Sequence, residues 1–276
     1  MRLFHKVAII GVGLIGGSIA LAIKKKNLAK EVVGLSRHKK TLSIATRIGA
    51  IDKGSQRVGV VKDTDLLIFA TPINTMLALA PSISKIIKPD CIVTDVGSTK
   101  SEVVAKLGKI FPHYVGSHPL AGSEKRGIMN ASPQILQGSL CILTPQKNTS
   151  PQALKKIEKL WRRIGVKVIF LSPKLHDKIL ALVSHLPHIV AFSLIGSIPT
   201  RYLKLAPSSL RDTTRIAASD SSLWSDIFLS NQKNILNSIK LLEKNLAKLK
   251  SAIQRKDRKL LTKVLKEAKE KRDTLN

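Results

Sequence analysis

Cysteine is scarce in this chain, which has only Cys91 and Cys141 among its 276 residues. Two thiols cannot form the disulfide framework of a small secreted protein, and they are too few ligands for a zinc site. An apolar run begins already at residue 7, so we expect no cleavable signal sequence in front of it. Together these absences predict a cytoplasmic protein without a bound metal.

Long uninterrupted apolar runs are also lacking. The longest candidate, residues 179–196, is broken near its centre by His185, Pro187 and His188. A membrane-spanning helix of this length needs an apolar centre, because polar groups inside a bilayer are costly. We therefore predict no membrane-spanning segment, and we interpret residues 179–196 as a buried helix.

Acidic residues are outnumbered, with 18 Asp and Glu against 47 Lys and Arg, which gives a formal net charge of +29. Aromatic residues make up 4% of the chain, and the lysine-rich stretch 233–276 contains none. A nucleic-acid-binding role is disfavoured, because stacking platforms are missing there and the positive charge is spread over the whole chain. A positive field would also attract an anionic substrate or cofactor, so the charge alone does not decide the function.

Short apolar runs alternate with helical patterns through the first 172 residues. The predicted strands are 7–10, 31–35, 66–70, 91–95, 114–116, 140–144 and 167–171. This alternation predicts a parallel sheet with helices on both faces, in a Rossmann-type α/β nucleotide-binding domain. No convincing strand pattern follows, so the remainder is predicted to be an all-α domain. We place the boundary near Ser172, which gives domains 1–172 and 173–276.

One helical pattern in the second domain carries apolar residues spaced four and three apart. They are Ile235, Ile239, Leu242, Leu246, Leu249 and Ile253. This spacing aligns their side chains along one side of a helix. Such an apolar seam needs a partner helix, and we predict that a second subunit supplies it in a homodimer.

The first predicted strand leads directly into GVGLIG at residues 11–16, a G-x-G-x-x-G pattern that opens a helix. The first glycine permits a tight turn, the second lets the backbone approach a pyrophosphate, and the third allows close packing of helix on strand. The helix start offers free N–H groups to the phosphates. We therefore assign to a dinucleotide site Gly11, Gly13, Leu14, Ile15, Gly16, and Thr71 and Pro72 at the end of the strand predicted over 66–70.

The end of the second predicted strand bears on the choice of dinucleotide. An NAD site usually has an Asp or Glu there for the ribose 2′-hydroxyl, whereas this chain has Ser36 and Arg37 followed by further basic residues. The Arg37 guanidinium suits a 2′-phosphate, and Ser36 can donate a hydrogen bond to it. We therefore expect NADP in preference to NAD. The alternative is that Arg37 is merely solvated and that the preference is loose.

Residues 116–124, GSHPLAGSE, place His118 between a Gly-Ser pair and a proline, with a second Gly-Ser pair and a carboxylate following. We interpret the stretch as a sharply bent backbone that presents an imidazole to a substrate. A neutral imidazole with a pKa near the working pH can accept a hydrogen bond or a proton from a hydroxyl. From the residues alone, a structural turn histidine is the alternative.

Several motifs occur in one order along the chain. They are GVGLIG at 11–16, TDVGSTK at 94–100, GSHPLAGSE at 116–124, SHLPH at 184–188, RDTTRIA at 211–217, SD at 219–220 and LW at 223–224. In these motifs the chain resembles the prephenate dehydrogenase family, including relatives that use arogenate, over nearly its whole length. The resemblance implies oxidative decarboxylation of prephenate to 4-hydroxyphenylpyruvate with NAD(P)⁺ in tyrosine biosynthesis. Arogenate, which would give tyrosine directly, is the alternative substrate.

The resemblance also implies roles for particular side chains. His118 would accept a hydrogen bond from the substrate hydroxyl, and Ser98 would bond both that imidazole and the nicotinamide region. His188 would contact the substrate, which mildly favours prephenate. Arg215 would bind a substrate carboxylate through its planar guanidinium.

Two further residues of the resemblance are Glu124, which would guard the pocket entrance, and Trp224, which would line the pocket. The residues themselves leave alternatives open. Ser98 could be a helix N-cap, Glu124 an acid at a helix start, and Trp224 a core residue. His185 could be a core histidine, and a zinc site formed with His188 is disfavoured because no further ligand lies near.

A runner-up from a different functional class is a nucleotide-binding regulatory protein without catalysis. The presence of Ser98, His118 and Arg215 argues against it. No appended chorismate mutase segment or C-terminal regulatory domain is recognisable before residue 276. We therefore expect any feedback inhibition by tyrosine to act at the active site itself.

Overall fold

The computed structural model describes residues 1–121 and 126–275. Its strands are β1 Phe4–Ile10, β2 Ala29–Leu35, β3 Lys53–Ser55, β4 Leu66–Phe69, β5 Ile92–Asp95, β6 Tyr114–Leu120, β7 Leu140–Thr144 and β8 Lys167–Phe170. They form one sheet in the order β3-β2-β1-β4-β5-β6-β7-β8. Neighbouring strands are parallel except β6 and β7. The first six strands have the order of a dinucleotide-binding Rossmann fold, as predicted.

Five helices cover the sheet, namely α1 Leu14–Lys25, α2 Lys39–Arg47, α3 Ile73–Ser84, α4 Ser101–Ile110 and α5 Pro151–Arg163. Successive residues of a strand point to opposite faces, so the apolar strands supply two cores. One core joins Val7 and Ile9 of β1 to α1, α2 and α5. The other joins Ala8 and Ile10 to α3 and α4. Helices thus cover both faces of the sheet, which confirms the α/β class.

Strand β6 differs from the prediction in length and in pairing. It was predicted to stop at residue 116, yet it continues to Leu120. Tyr114 and Val115 pair with β5, whereas the residues from Gly116 to Leu120 pair with β7 in the antiparallel direction. Strand β6 therefore extends past the carboxyl end of β5. The short β3 was also missed, because its three residues contain no apolar run.

Gly116 serves close packing and not a bend, so the predicted sharp turn at this position is wrong. The residue lies inside β6, opposite Thr144 of β7. A Cβ atom here would lie 2.8 Å from Val104 Cγ2 of α4 and would also overlap the Thr144 hydroxyl. A glycine is required because helix and strand both approach the backbone at this point.

The chain after β8 is helical, and no strand occurs in its described part, 171–275. Helices α6 Pro173–Leu180 and α7 Leu186–Gly196 are continuous through a π-helical turn, Ala181–His185, and are followed by α8 Ser208–Thr214, α9 Ser221–Ser230, α10 Gln232–Gln254 and α11 Arg258–Asp273. The pattern of residues 231–274 predicts one helical segment, whereas the structure breaks it once. Lys256 has a φ of 52°, in the left-handed region, which ends α10 before α11 begins.

The continuous helix Pro173–Gly196 is long and apolar enough to cross a membrane by length and composition alone. Only 22% of its apolar window is buried in the single chain, so the predicted buried helix is wrong for one subunit taken by itself. Val183 on this helix is 65% exposed, and Ile253 in the α10 seam is 63% exposed. Apolar surface of this kind marks an interaction face, which a single chain leaves uncovered.

Candidate active site

His118 lies on the part of β6 that extends past β5, where it is paired with Ile142 of β7. Its side chain is buried. Helix α6 of the helical domain approaches from the other side, and His118 Nδ1 lies 2.8 Å from His176 Nε2. The histidine singled out from the sequence therefore lies where the two parts of the molecule meet.

A hydrogen-bonded chain continues from His118 through His176 to Asp177. His176 Nδ1 lies 2.8 Å from Asp177 Oδ1. A carboxylate only accepts hydrogen bonds, so His176 carries its proton on Nδ1 and its Nε2 accepts from His118 Nδ1. In a neutral His118 the other ring nitrogen, Nε2, is then the unprotonated one. This tautomer can accept a hydrogen bond from a substrate hydroxyl.

The surroundings of both imidazoles favour their neutral forms. Burial lowers the pKa of His118 well below its ordinary value, and His176, Lys100 and His185 act in the same direction. The pKa of His176 is also lowered, chiefly by burial, although its hydrogen bond to Asp177 opposes the shift. Both rings are therefore uncharged near neutral pH, as the hydrogen-bonded chain requires.

Asp177 also caps helix α4, which belongs to the sheet domain. Its Oδ1 accepts the Lys100 N–H at 2.7 Å, and its Oδ2 accepts the Ser101 N–H at 2.8 Å. The free N–H groups and the partial positive charge of a helix start favour a carboxylate there. Although burial opposes ionisation, hydrogen bonds from His176, Ser101 and Lys100 lower the pKa of Asp177. One carboxylate thus connects the two domains.

Ser98 lies on the loop between β5 and α4, close to this chain in sequence and fold. The hydrogen bond predicted between Ser98 and the His118 imidazole is absent from residues 1–121 and 126–275, because His176 occupies Nδ1 of His118. The alternative of Ser98 as N-cap is wrong, since α4 begins at Ser101 and Asp177 caps it. The Ser98 side chain is half-buried.

The glycine-rich turn after β1 has the geometry of a pyrophosphate site. Gly11 has a φ of 92°, and a Cβ there would lie 2.5 Å from the Ala70 carbonyl oxygen. Gly13, before α1, faces open space, and the start of α1 has neither a side-chain cap nor an acidic residue. Beside Gly11, the Thr71 hydroxyl is buried without a partner in the described residues. These features fit a bound dinucleotide, whose phosphates would face the N–H groups of Leu14 and its neighbours.

The loops after β2 and β3 lie together at the same edge of the sheet. Ser36 N donates to the Ser55 carbonyl at 3.2 Å, and Gln56 Nε2 donates to the Arg37 carbonyl at 2.7 Å. Arg37 Nε lies 3.1 Å from His38 Nε2, and both side chains are exposed. Residues 36–40 include no carboxylate. The region that would meet the adenosine ribose is therefore basic.

Two of the predicted substrate residues come together on neighbouring helices. His188 on α7 and Trp224 on α9 stack with ring centroids 3.5 Å apart. His188 Nδ1 donates to the Ser184 carbonyl at 3.0 Å, so its Nε2 is the acceptor, and burial chiefly lowers its pKa. Arg215 is exposed at the start of a short 3₁₀ turn, Arg215–Ala218, that packs against α7.

The remaining residues discussed from the sequence are Glu124 and His185. Glu124 lies outside the described residues. His185 is buried, its Nδ1 accepts from Asn231 Nδ2 at 3.2 Å, and burial lowers its pKa to about 4, which supports the alternative of a core histidine. Within 1–121 and 126–275, no group of three His, Cys, Asp or Glu side chains could hold a metal ion.

The sequence reasoning missed His176 and Asp177. Both lie in the first half of α6, whose start the Ser172 side chain caps by accepting the Leu175 N–H. An acidic residue near a helix start is usually only a favourable charge, so the His-Asp pair was a weak indication. Its partner His118 is 58 residues away in the chain, and only the fold brings them together.

Two family models match the chain. They are the prephenate dehydrogenase nucleotide-binding domain over residues 19–170 and the prephenate dehydrogenase dimerization domain over residues 172–267. The prephenate dehydrogenase of Bacillus subtilis is 33% identical over 280 residues, which cover 98% of this chain and 76% of that protein. The cyclohexadienyl dehydrogenase of Zymomonas mobilis is 34% identical over 285 residues, 99% of this chain and 96% of that protein.

Solved structures agree with these relatives. The prephenate dehydrogenase of Aquifex aeolicus, in complex with hydroxyphenyl propionate and NAD⁺, superposes with a TM-score of 0.93 at 36% identity, covering 99% of this chain and 98% of that chain. The arogenate dehydrogenase of Synechocystis has a TM-score of 0.84 at 26% identity, with 98% and 100% covered. The resemblance and the fold class predicted from the sequence are confirmed. The chain belongs to the prephenate dehydrogenase family.

Proposed function

We propose that this protein catalyses the oxidative decarboxylation of prephenate to 4-hydroxyphenylpyruvate. Hydride leaves the ring carbon that bears the hydroxyl, the ring carboxylate leaves as CO₂, and the electrons of the broken C–C bond complete the aromatic ring. A bound nicotinamide dinucleotide supplies the hydride acceptor. The observation that carries the proposal is the His118–His176–Asp177 chain, which lies at the same edge of the sheet as the glycine-rich turn.

His118 is the catalytic acceptor in this proposal. Its Nε2 accepts the hydrogen bond of the substrate hydroxyl and stabilises the positive charge that develops there as hydride leaves. Asp177 and His176 hold the imidazole in the required tautomer through their 2.8 Å contacts. A positioned acid–base group of this kind contributes roughly 10²- to 10⁴-fold to a rate.

The substrate is proposed to lie between the glycine-rich turn and α7. Arg215 would bind a carboxylate, His188 and Trp224 would form one wall, and Glu124 would guard the entrance. Ser98, whose side chain is half-buried on the β5–α4 loop, would contact the nicotinamide region. The stacked pair on α7 and α9 supports the wall, since two rings 3.5 Å apart present one continuous surface.

Arogenate is the second candidate substrate, and one observation at His188 favours it, against the mild preference for prephenate that the resemblance attached to this residue. The two compounds differ in the side chain, which carries a keto group in prephenate and an ammonium in arogenate. The lowered pKa of His188 keeps the ring neutral, with Nε2 as an acceptor that suits an ammonium. A protonated His188 would instead donate to a keto group, so the ratio of the two activities depends on this residue.

NADP is the proposed preferred dinucleotide. Gly11, Gly13, Leu14, Ile15 and Gly16 would hold its pyrophosphate at the start of α1. Thr71 and Pro72 would border the nicotinamide half, and Ser36 and Arg37 would bind the 2′-phosphate. The basic, carboxylate-free loop at 36–40 supports this preference, because a ribose 2′-hydroxyl is usually bound by an acidic side chain at this position.

A cytoplasmic homodimer formed by the helical domain, divided from the sheet domain near Ser172, is also proposed. The exposed apolar surface of the helix Pro173–Gly196 and of α10 supports it, since a second copy would cover both. A dimerization-domain model matches the same region. Cys91 and Cys141 are unpaired and buried, which suits a reducing compartment.

The test is a steady-state assay of the purified protein with prephenate and arogenate, each combined with NAD⁺ and NADP⁺. We expect turnover with prephenate and a higher kcat/KM with NADP⁺. His118→Asn should lose most of kcat while it still binds the dinucleotide. If no pair gives turnover, the enzyme proposal fails, and a nucleotide-binding regulatory protein becomes the better description.

A further inference from the structure

A buried ion pair lies beneath the loop that carries Ser98. Lys100 Nζ is 2.5 Å from Asp95 Oδ2, and both side chains are 0% exposed. Asp95 Oδ2 also accepts the Gly97 N–H at 2.7 Å. Asp95 Oδ1 accepts the Tyr114 hydroxyl at 2.7 Å and the Ser117 N–H at 3.2 Å. Both oxygens of this carboxylate are therefore hydrogen-bonded, and β5, β6 and α4 converge on it.

Fold stability alone does not explain this pair. Burying two charges loses much of their hydration, and apolar side chains of similar volume are often equally or more stabilising. The pair instead has a local effect, because it joins the two ends of the segment 95–100 and closes the loop into a ring. A Cβ on Gly97 would lie 2.9 Å from Asp95 Oδ2 and 3.3 Å from Lys100 Nζ. The loop backbone therefore rests directly on the ion pair.

The ammonium also acts on the imidazoles of the active site. The described titratable groups around His118 come from five elements and are Asp95 on β5, Lys100 before α4, Cys141 on β7, His176 and Asp177 on α6, and His185 in the π-helical turn. Burial and the neighbouring His176 lower the pKa of His118 most, and Lys100 lowers it further. It also lowers the pKa of His176, where its effect exceeds the opposite one of Asp95. Burial raises the pKa of Cys141, so that thiol adds no charge.

We propose that Lys100 is a positioning residue for the hydride transfer, an inference that rests on the proposed function. Its buried ammonium, paired with Asp95, holds the loop that carries Ser98 and keeps the joined imidazoles of His118 and His176 unprotonated. Lys100 does not touch the substrate, since its side chain is fully buried. A proton added to the His118–His176 pair would remove the acceptor that the substrate hydroxyl needs.

Two variants test the proposal. Lys100→Gln removes the positive charge and keeps a donor for Asp95, and D95N/K100Q replaces the ion pair by a neutral amide pair. We expect the acidic limb of the pH profile of kcat to move up by about one pH unit in Lys100→Gln, which is about a tenfold loss on that limb. The shift should be smaller in D95N/K100Q, because that variant also removes the opposing charge of Asp95. The alkaline plateau should stay within about threefold. NMR titration of the His118 ring should show the same upward shift in the free protein.

A matched control is D65N/K88Q, which neutralises the Lys88–Asp65 pair at the amino end of the same sheet. It should leave the acidic limb in place. A loss of kcat by one factor at every pH in Lys100→Gln would indicate a merely structural role and overturn the proposal. The proposal would also be overturned if the His118 ring of the wild-type protein titrated at the ordinary pKa of histidine. That result does not depend on the folding of any variant. If His118 titrates as expected in the wild type and the variants, but neither prephenate nor arogenate is turned over, the proposed function is wrong and the effect of Lys100 on the imidazoles still holds.

Discussion

The rings of His188 and Trp224 lie face to face, with centroids 3.5 Å apart and planes inclined by 22°, although the residues belong to α7 and α9. Helix α9 also contacts the sheet domain, where Asp226 Oδ1 accepts a hydrogen bond from Asn74 Nδ2 at 3.0 Å. The stacked pair therefore depends on a helix that spans the cleft. Its geometry links the proposed wall of the substrate site to the relative placement of the two domains.

Replacing Trp224 by Leu should weaken substrate binding more than turnover. A stacked aromatic pair contributes about 0.5–1.5 kcal/mol beyond its buried area, so we expect KM for prephenate to rise roughly 3- to 10-fold. Steady-state kinetics with saturating dinucleotide measure this change. Phe170→Leu, at an exposed aromatic residue of β8, is the control and should change KM less than twofold. Equal effects of both variants would contradict a specific role for the stack.

Replacing Arg37 by Ala should discriminate between the two dinucleotides. A charge-assisted hydrogen bond to a phosphate is worth about 1.5–3 kcal/mol, so KM for NADP⁺ should rise roughly 10- to 100-fold. KM for NAD⁺, which has no 2′-phosphate, should change little. Arg47→Ala removes an exposed positive charge from the end of α2 and serves as the control. Equal increases for NADP⁺ and NAD⁺ in Arg37→Ala would end the 2′-phosphate argument.

Asp177→Asn should lower kcat and leave KM nearly unchanged. The neutral amide no longer biases His176 toward the tautomer that accepts from His118, so we expect a loss of about 10²-fold in kcat, within the usual range for acid–base groups. Measurement of kcat and KM over pH 6–9 separates chemistry from binding. Asp52→Asn, which alters a partly exposed ion pair with Lys24, is the matched control. An unchanged kcat in Asp177→Asn would contradict the proposal that Asp177 and His176 hold the His118 tautomer.

His185 should make the fold sensitive to acid. Its pKa of about 4 in the folded chain lies below the ordinary value of 6.5, so the unfolded chain binds the proton more tightly. The free energy of unfolding therefore has its full value above pH 6.5 and decreases as the pH falls toward 4. One group with this shift loses about 3 kcal/mol of unfolding free energy between pH 7 and 4. Urea unfolding at both pH values should show a smaller difference in His185→Asn than in the wild type.

Charge placed on the long apolar helix should break the proposed dimer. Val183 is 65% exposed in a single chain, and a buried Glu at this position would leave an unpaired charge in the subunit interface. Val183→Glu should therefore elute as a monomer in size-exclusion chromatography with light scattering. Met129→Glu introduces the same charge at an exposed residue of the sheet domain and should stay dimeric. A dimeric Val183→Glu would exclude this face as the interface.

The parts of the fold that follow local rules were predictable. The turn at Gly11 needs a positive φ that glycine adopts readily, and the buried parallel strands read as short apolar runs. The candidate catalytic residue His118 was found for an incorrect local reason. Gly116 and Ser117 beside it reflect close packing in β6 and not a bend, since a strand with tight neighbours and a turn can share one composition.

The relations between distant residues were not predictable. His176 reaches His118 because β6 extends past β5 by pairing with β7, and nothing local specifies that antiparallel pair. The cap of α4 likewise comes from Asp177, in another domain, in place of the nearby Ser98. Lys100 reads as an ordinary charged residue near a helix start, and only its burial against Asp95 distinguishes it.

The carboxylate of Asp177 couples two events that enzymes often separate. From the helical domain it bonds the first N–H groups of α4 and, through His176, fixes the proton of the His118 imidazole, both of which belong to the sheet domain. If the domains move apart, the cap and the tautomer are lost together. In the proposed mechanism, the acceptor nitrogen of His118 is therefore held ready only while the two domains are in contact.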